Sequence, residues 1–300
     1  MVKGTMALID AEQAESLYAS MPQGIETSGG SAGNTAAGLA SLGARCAFIG
    51  KVRDDQLGDV FTDDIRAVGA EFATPSATDG PPTARCLILI TPDAQRTMNT
   101  FLGASVNLGP EDIDERMIAR AKVTYLEGYL WDRDEAKVAF HRAAEFAHSH
   151  NRMVSLSLSD PFCVDRHRNS FRTLVANHVD ILFANEDEIT SLYEVDDFEA
   201  ALQHVSADCR IAALTRSEKG AVVVSGDEVH VVGAVPVSGV VDTTGAGDQF
   251  AAGFLCGFTR GDDLATCARI GAITAGEVIE HIGPRPQVNL AELVSARLAS

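Results

Sequence analysis

The chain has 300 residues and a net charge of −18, with 24 Lys and Arg against 42 Asp and Glu. This acidic balance argues against nucleic acid as a partner, because phosphate backbones are bound by surfaces rich in Lys and Arg. Since the sequence contains neither a long apolar run nor a basic-then-apolar leader, we expect no membrane partner and a cytoplasmic location.

Helix and strand patterns alternate along most of the chain. Apolar residues at helical spacing predict helices near residues 11–21, 33–42, 56–69, 111–121, 133–150, 166–177, 197–206, 245–259 and 263–281. Short apolar, β-branched runs predict strands at residues 47–52, 123–126, 153–158, 180–183, 211–214 and 221–224. This alternation predicts an α/β fold with a mostly parallel, doubly wound sheet flanked by helices, and ligands bound beyond the carboxyl ends of its strands.

One segment breaks this alternation. Residues 86–90 form an apolar run, Pro92 and Asp93 form a turn signal, and residues 97–101 form a second run. Two strand-like runs joined by a short turn predict a β-hairpin.

The run VDTTGAGDQF, residues 241–250, is chemically the most informative. The small residues Gly245, Ala246 and Gly247 open a helical pattern, which allows backbone to come close to a ligand. A helix start has free amides and the positive end of the dipole, so it suits phosphate. Asp248 in the first turn predicts a general base for a hydroxyl that attacks a phosphoryl group. The alternative is a capping aspartate after a tight turn.

The same run resembles the second signature of the ribokinase-like (PfkB) family of sugar and nucleoside kinases. Residues 29–36, GGSAGNTA, and the segment 42–58 resemble the first signature, in the family's order. The resemblance implies a ribokinase-like fold in which the hairpin belongs to a small β-sheet lid. It divides the chain into a catalytic core at 31–82 and 104–300 and lid elements at 1–30 and 83–103.

Four stretches resemble the adenosine kinase branch of the family: residues 96–104, 125–129, 156–162 and 179–186. This resemblance implies ATP-dependent phosphorylation of a nucleoside 5′-hydroxyl, converting adenosine and ATP to AMP and ADP. The alternatives are a sugar kinase of the same family, acting on ribose, fructose or a similar alcohol, and a catalytically silent ligand-sensing member. The expected partners are a small nucleoside or sugar and ATP, bound by a monomer or homodimer.

The resemblance assigns roles at the acceptor end. Asp248 matches the family's catalytic base, and the three small residues before it match the anion hole that would hold the γ-phosphate. Gly30 and Asn34 match positions that contact ribose hydroxyls, and Tyr129 matches an aromatic position that stacks on the nucleobase. Arg96, on the hairpin, is placed to reach the transferred phosphate. A core tyrosine and a solvated turn arginine are the alternatives for the last two.

The resemblance also assigns the ATP end. Asn185 and Glu188 match an N-x-x-E motif that orders Mg²⁺, water and triphosphate, and Mg²⁺ usually keeps several waters. Thr215 and Gly220 match positions that hold nucleotide phosphates, and Ala275 matches the adenine slot. The alternatives are an acidic helix start for Glu188 and core packing for Ala275. A monovalent cation is a further candidate cofactor beside ATP and Mg²⁺.

The sequence departs from the family at its beginning. The family starts with a strand whose aspartate grips the acceptor sugar, whereas this sequence starts with MVKGTM, which resembles the segment after that strand. We therefore expect the strand to be missing because the sequence is a fragment or has a misassigned start. The alternative is a protein that lacks this strand, which would leave strand edges unpaired.

Overall fold

The computed structural model describes residue 3, residues 6–93 and residues 95–299. In chain order its strands are β1 Met6–Leu8, β2 Ala47–Phe48, β3 Glu71–Phe72, β4 Arg85–Ile90, β5 Arg96–Phe101, β6 Val123–Glu127, β7 Met153–Ser157, β8 Ile181–Asn185, β9 Ile211–Thr215, β10 Ala221–Ser225 and β11 Glu228–Val232. Its helices are α1 Ala11–Ser20, α2 Ser31–Ser41, α3 Gln56–Ala67, α4 Glu115–Arg120, α5 Asp134–Ser149, α6 Pro161–His178, α7 Glu186–Tyr193, α8 Phe198–Asp208, α9 Ala246–Arg260, α10 Leu264–Val278 and α11 Leu290–Leu298.

The largest sheet has six strands in the order β11-β10-β9-β8-β7-β6. Strands β6 to β9 are parallel, and β9, β10 and β11 pair antiparallel. Successive side chains on β8 enter two separate cores, because alternate residues of a strand point to opposite faces. Leu182 packs into one cluster and Phe183 into the other. The predicted mostly parallel sheet with helices on both faces is confirmed.

Each face of this sheet is covered by its own helices. The first cluster takes Phe140, Phe171 and Leu192 from α5, α6 and α7, and the second takes Phe254 and Cys267 from α9 and α10. The helices α9 and α10 approach closely where two glycines meet. A Cβ atom on Gly253 would lie 2.7 Å from the Cα atom of Gly271, so these glycines let the second helical layer lie tightly against the sheet.

A second, three-stranded sheet has the order β1-β5-β4. The predicted hairpin is present as β4 and β5, which pair antiparallel from Arg85 opposite Phe101 to Ile90 opposite Arg96. Strand β1, which the sequence pattern did not indicate, adds parallel to β5. All three strands fall inside the ranges expected for the lid, and the division into lid and core ranges stays a prediction.

Several elements differ from the predicted ones. The helix predicted at 111–121 is instead a short 3₁₀ turn at Pro110–Asp112 followed by α4, because Asp114 caps a new helix start. The strand predicted at 47–52 is shortened to β2. The elements β3, β11, α7 and α11 were not predicted. Met1, Val2, Gly4 and Thr5, on which the expectation about the beginning of the sequence rests, lie outside the described residues.

In the part of the chain that the structure describes, no helix has the length and apolar character needed to cross a membrane.

Candidate active site

One large cleft, with a volume of about 2660 Å³, runs between the lid sheet and the carboxyl ends of the large sheet. Pockets for one small molecule measure roughly 300–1,000 Å³, so this volume includes neighbouring spaces as well as the site itself. Every site residue expected from the sequence lines it: Gly30, Asn34, Arg96, Tyr129, Asn185, Glu188, Thr215, Gly220, Gly245, Ala246, Gly247, Asp248 and Ala275.

The start of α9 leaves backbone amides facing the cleft. Its N-cap, Gly245, has φ 83° and makes no side-chain cap bond. A Cβ atom there would lie 2.6 Å from the carbonyl oxygen of Pro284, so the position requires glycine. The Ala246 amide donates a long bond of 3.3 Å to the Thr243 carbonyl. Amides in the first helical turn have no intrahelical partner, so those of Gly247 and Asp248 remain for an anion.

Asp248 is held by two side chains from the start of α2. The Ser31 hydroxyl lies 2.6 Å from Oδ1, and the Asn34 amide nitrogen donates to Oδ2 at 2.8 Å. Burial raises the pKa of Asp248, while the bonds from Ser31 and Asn34 and the charge of Arg96 oppose that rise. The carboxylate is therefore oriented from α2 although it belongs to α9.

Arg96 connects the lid to the start of α9. It begins β5, and its Nη1 donates to the Thr243 hydroxyl at 2.9 Å. Its Nε is buried and has no hydrogen-bond partner among the described residues. This places a guanidinium with an unused donor beside the turn that presents the amides, which suits a phosphate group.

Asp242, which sequence reasoning missed, holds that turn in shape. Its buried side chain accepts bonds from the Thr244 amide at 2.9 Å, the Thr244 hydroxyl at 2.6 Å and the Gly283 amide at 3.0 Å. An aspartate that accepts from the amide two residues later is a local turn signal, and the DTT sequence carried it.

At the acceptor end, Gly30 is the N-cap of α2 with φ 81°. The Asn34 amide nitrogen already binds Asp248, while its Oδ1 is buried and has no partner among the described residues. The Tyr129 hydroxyl donates to the Ser159 carbonyl at 3.0 Å, which fixes the ring at the cleft wall. These three residues line the same cleft, and their contacts with an acceptor stay a prediction.

The ATP end is formed by neighbouring strand ends. Asn185 ends β8 and Thr215 ends β9, and the two are paired across the sheet. Gly220 has φ 88°, and a Cβ there would lie 2.1 Å from the Val232 carbonyl, so it is required for the turn itself. The turn between β9 and β10 carries two cations, and both form ion pairs with Glu186. The distances are 2.9 Å from Arg216 and 3.3 Å from Lys219.

The chain is similar to known proteins over nearly its whole length. Residues 5–289 match the model of the pfkB family carbohydrate kinases. The chain belongs to this family. It is therefore an ATP-dependent phosphotransferase.

Three relatives of this PfkB kinase show how far the similarity extends. The chain is 54% identical to the crystal structure of adenosine kinase from Sinorhizobium meliloti, with a TM-score of 0.96, over 100% of this chain and 91% of that one. It is 29% identical to the adenosine kinase of Saccharomyces cerevisiae, over 92% of this chain and 86% of the relative. It is 32% identical to the ATP-dependent ribose-1-phosphate kinase of Halopiger xanaduensis, over 84% and 81% respectively.

The residues of this PfkB chain fit Mg²⁺ that arrives with ATP. Both Glu188 oxygens bind Asn185, one through the backbone amide at 2.9 Å and one through the side-chain amide at 2.7 Å. Burial raises the pKa of Glu188 to about 8. Among the described residues, no three His, Cys, Asp or Glu side chains form a group able to hold a metal. Because the oxygens of Glu188 and Asn185 already bond each other's groups, this pair fits only outside an ion whose direct ligands are water and phosphate oxygens.

Sequence reasoning also missed Glu127, the last residue of β6, which is buried in the cleft wall beside Ser31. Ser31 was part of the first signature, but no role was assigned to it. An acidic residue that ends an apolar strand was the available signal, because such residues lie at the ligand-binding edge of a parallel sheet.

Proposed function

We propose that this chain transfers the γ-phosphoryl group of ATP to the 5′-hydroxyl of adenosine, giving AMP and ADP. The observation that carries the proposal is the 54% identity, over the whole chain, to a protein solved as an adenosine kinase. A structure described as a probable sugar kinase from Rhizobium etli has the same identity and supports the second candidate below. The proposal is supported by Asp248 beside the amides at the start of α9, in a cleft that all the expected site residues line.

In this proposal, ionised Asp248 accepts the proton of the 5′-hydroxyl as its oxygen attacks the γ-phosphorus. Ser31 and Asn34 hold the carboxylate in the orientation needed for this. The amides of Gly247 and Asp248 stabilise the negative charge on the transferred group, and Arg96 adds a positive charge from the lid. Mg²⁺ brought with ATP would lie near Asn185 and Glu188 and neutralise triphosphate charge.

Phosphorylation of a sugar is the second candidate. It is favoured by the ribose-1-phosphate kinase among the relatives and by the polar character of the acceptor end, where Ser31, Asn34 and Glu127 lie together. A cytoplasmic location, a monovalent cation and a monomeric or homodimeric state stay predictions.

A coupled assay of ATP consumption across nucleosides and sugars tests the proposal. We expect kcat/KM for adenosine to exceed that for ribose and fructose by roughly 10–100-fold, because stacking a base on an aromatic ring contributes about 1–3 kcal/mol. Y129A should reduce this preference, whereas Y129F, which keeps the ring, should preserve it. Comparable activity on free ribose would favour the sugar kinase. ATP and adenosine binding without turnover on any acceptor would favour a ligand sensor.

A further inference from the structure

Glu127 is the buried carboxyl for which the proposed mechanism has no use. It ends β6 and is 7% exposed. Its Oε2 is within hydrogen-bond distance of the Ser31 hydroxyl and lies 3.1 Å from the Tyr125 hydroxyl. Its Oε1 is within hydrogen-bond distance of the Ser159 hydroxyl. The side chain is thus surrounded by three hydroxyls rather than by a cation.

Ser31 joins this carboxyl to Asp248. One hydroxyl oxygen lies within hydrogen-bond distance of Glu127 and, at 2.6 Å, of Asp248. A hydroxyl has a single hydrogen to donate, and an ionised carboxylate only accepts. If both carboxyls were ionised, Ser31 could satisfy one of them and the other would face its oxygen lone pairs. If Glu127 is protonated, it donates to Ser31, and Ser31 donates to Asp248.

The surroundings favour the protonated form. Burial raises the pKa of Glu127 to about 7, the charge of Asp248 adds to that rise, and the three hydroxyls oppose it. The titratable groups facing Glu127 are two tyrosines, a cysteine and two carboxyls, and none of these five is a cation. They are Tyr125 on β6, Tyr129 after β6, Cys163 on α6, Glu188 on α7 and Asp248 on α9. Each anion among them disfavours a further negative charge.

We propose that Glu127 is a positioning residue which, as the neutral acid, donates to Ser31 and so holds Asp248 ionised and correctly oriented. The inference rests on the proposed function, because it assigns Asp248 the role of base. Glu127 keeps its proton throughout turnover, and the proton of the acceptor hydroxyl passes to Asp248. When Glu127 ionises, it competes with Asp248 for the single Ser31 hydrogen, so Asp248 loses a hydrogen bond and is less well oriented.

The first test is the dependence of kcat/KM on pH. In the wild type we expect kcat/KM to fall as pH rises above about 7, as Glu127 ionises. E127Q can still donate to Ser31 but cannot ionise, so its profile should lack this decline, with activity reduced by less than roughly tenfold at pH 6.5. E127A removes the donor and should lose at least roughly tenfold more than E127Q. A decline that persists in E127Q overturns the proposal, as does equal loss in E127Q and E127A.

The kinetic constants distinguish the positioning role of Glu127 from a direct contact between Glu127 and the acceptor. The positioning role predicts that both variants mainly lower kcat, because Asp248 acts in the chemical step. A raised acceptor KM with unchanged kcat and an unchanged pH profile would overturn the proposal.

The second test does not depend on activity. ¹³C NMR of glutamate side-chain carboxyls, with E127Q to assign the signal, should show Glu127 titrating well above ordinary glutamates. D248N should lower its midpoint, because it removes a neighbouring negative charge. Y125F should raise it, because it removes a donor to the anion. If these shifts appear in a protein that phosphorylates no acceptor, the proposed function is wrong, but the hydrogen bonds from Glu127 to Ser31 and from Ser31 to Asp248 are supported. Titration of Glu127 with ordinary glutamates overturns the inference.

Discussion

The helices α2 and α9 begin at the same cleft, but their starts are built differently. Both begin at a glycine with positive φ, 81° at Gly30 and 83° at Gly245, and neither has a side-chain cap bond. By contrast, eight other helices begin at an Asp or Asn whose side chain accepts a hydrogen bond from a first-turn amide. These helices are α1, α3, α4, α6, α7, α8, α10 and α11. The two glycine starts therefore leave amides free where a ligand enters.

The difference between them lies in the atoms that surround each glycine. A Cβ on Gly245 would collide with the Pro284 backbone, whereas a Cβ on Gly30 would meet no atom of the described residues within 4 Å. The start of α9 is fixed by packing and presents amides and a carboxylate. The start of α2 is open on the ligand side and contributes the Ser31 and Asn34 side chains that orient Asp248. One start is thus suited to stabilising charge and the other to positioning.

The largest expected effect comes from removing the carboxylate that joins the two starts. D248N should lower kcat by roughly 10²–10⁴, the usual contribution of a general base, while ATP binding survives. N34A is the matched variant, since it removes the bond at 2.8 Å but leaves the carboxylate of Asp248, and it should lower kcat less. Steady-state kinetics with ATP binding by calorimetry measures both. A near-normal kcat in D248N would show that Asp248 is not the base and serves only to hold α2 against α9 through Ser31 and Asn34.

The next effect concerns the pH dependence of stability, through Glu127. Its pKa of about 7 in the folded protein exceeds the ordinary value of 4.5, so folding favours the protonated form. The stabilisation is fully present below about 4.5 and is lost as pH rises to about 7. At about 1.4 kcal/mol per pKa unit, the free energy of unfolding changes by on the order of 3 kcal/mol.

E127Q does not ionise, so relative to the wild type it should be more stable at pH 8 than at pH 5 by up to that amount. Urea unfolding at both pH values measures this. E145Q makes the same change at an exposed position of α5, where solvent screens the charge, and its difference should be much smaller. Equal behaviour of the two variants would contradict the buried, protonated state of Glu127.

Replacing the glycine at the start of α2 or of α9 by alanine tests the packing difference between the two helix starts directly. Both G30A and G245A place a Cβ at positive φ, which costs about 1–3 kcal/mol. G245A adds the clash with Pro284, so it should lower Tm further and reduce kcat by displacing the amides. G30A should mainly raise the acceptor KM, because its Cβ enters the open side of the cleft. A larger loss of Tm in G30A than in G245A would refute the packing difference.

Local sequence patterns could predict the individual parts of this site but not their contacts. Asp248 and Asn34 each lie in a recognisable motif, yet their bond joins residues 214 positions apart, which no periodicity reports. The sequence places Glu127 only in the stretch 125–129 that resembles adenosine kinases, because its importance arises from Ser31 on another element.

The fold could likewise be predicted where a local sequence pattern is clear, and not where an element is short or exposed. Long amphipathic helices such as α5 and buried strands such as β8 have clear periodicity. Strand β11 was missed because it is at the sheet edge and exposes Val229 and Val231, so burial does not impose alternation. Helix α7 was missed because its eight residues are too few for a periodic signal.

The smallest expected effect is on thermal stability. It concerns a turn at the cleft in which, unlike the helix starts at Gly30 and Gly245, a residue other than glycine has positive φ. Ser217, between β9 and β10, is exposed and has φ 50°. The left-handed region costs a residue with a Cβ roughly 1–2 kcal/mol, which glycine avoids. Glycine also loses more freedom on folding, by roughly 0.5–1 kcal/mol, so the net gain from S217G should be at most about 1 kcal/mol.

The Gly220 amide donates to the Ser217 carbonyl at 3.0 Å, and this bond does not involve the serine side chain. S217G should therefore preserve the turn and raise Tm by roughly 1–4 °C in a thermal melt. S206G makes the same chemical change within α8, where φ is negative and glycine is unfavourable, so Tm should fall. If S217G lowers Tm as S206G does, the positive φ of Ser217 costs less than the extra freedom that glycine loses on folding.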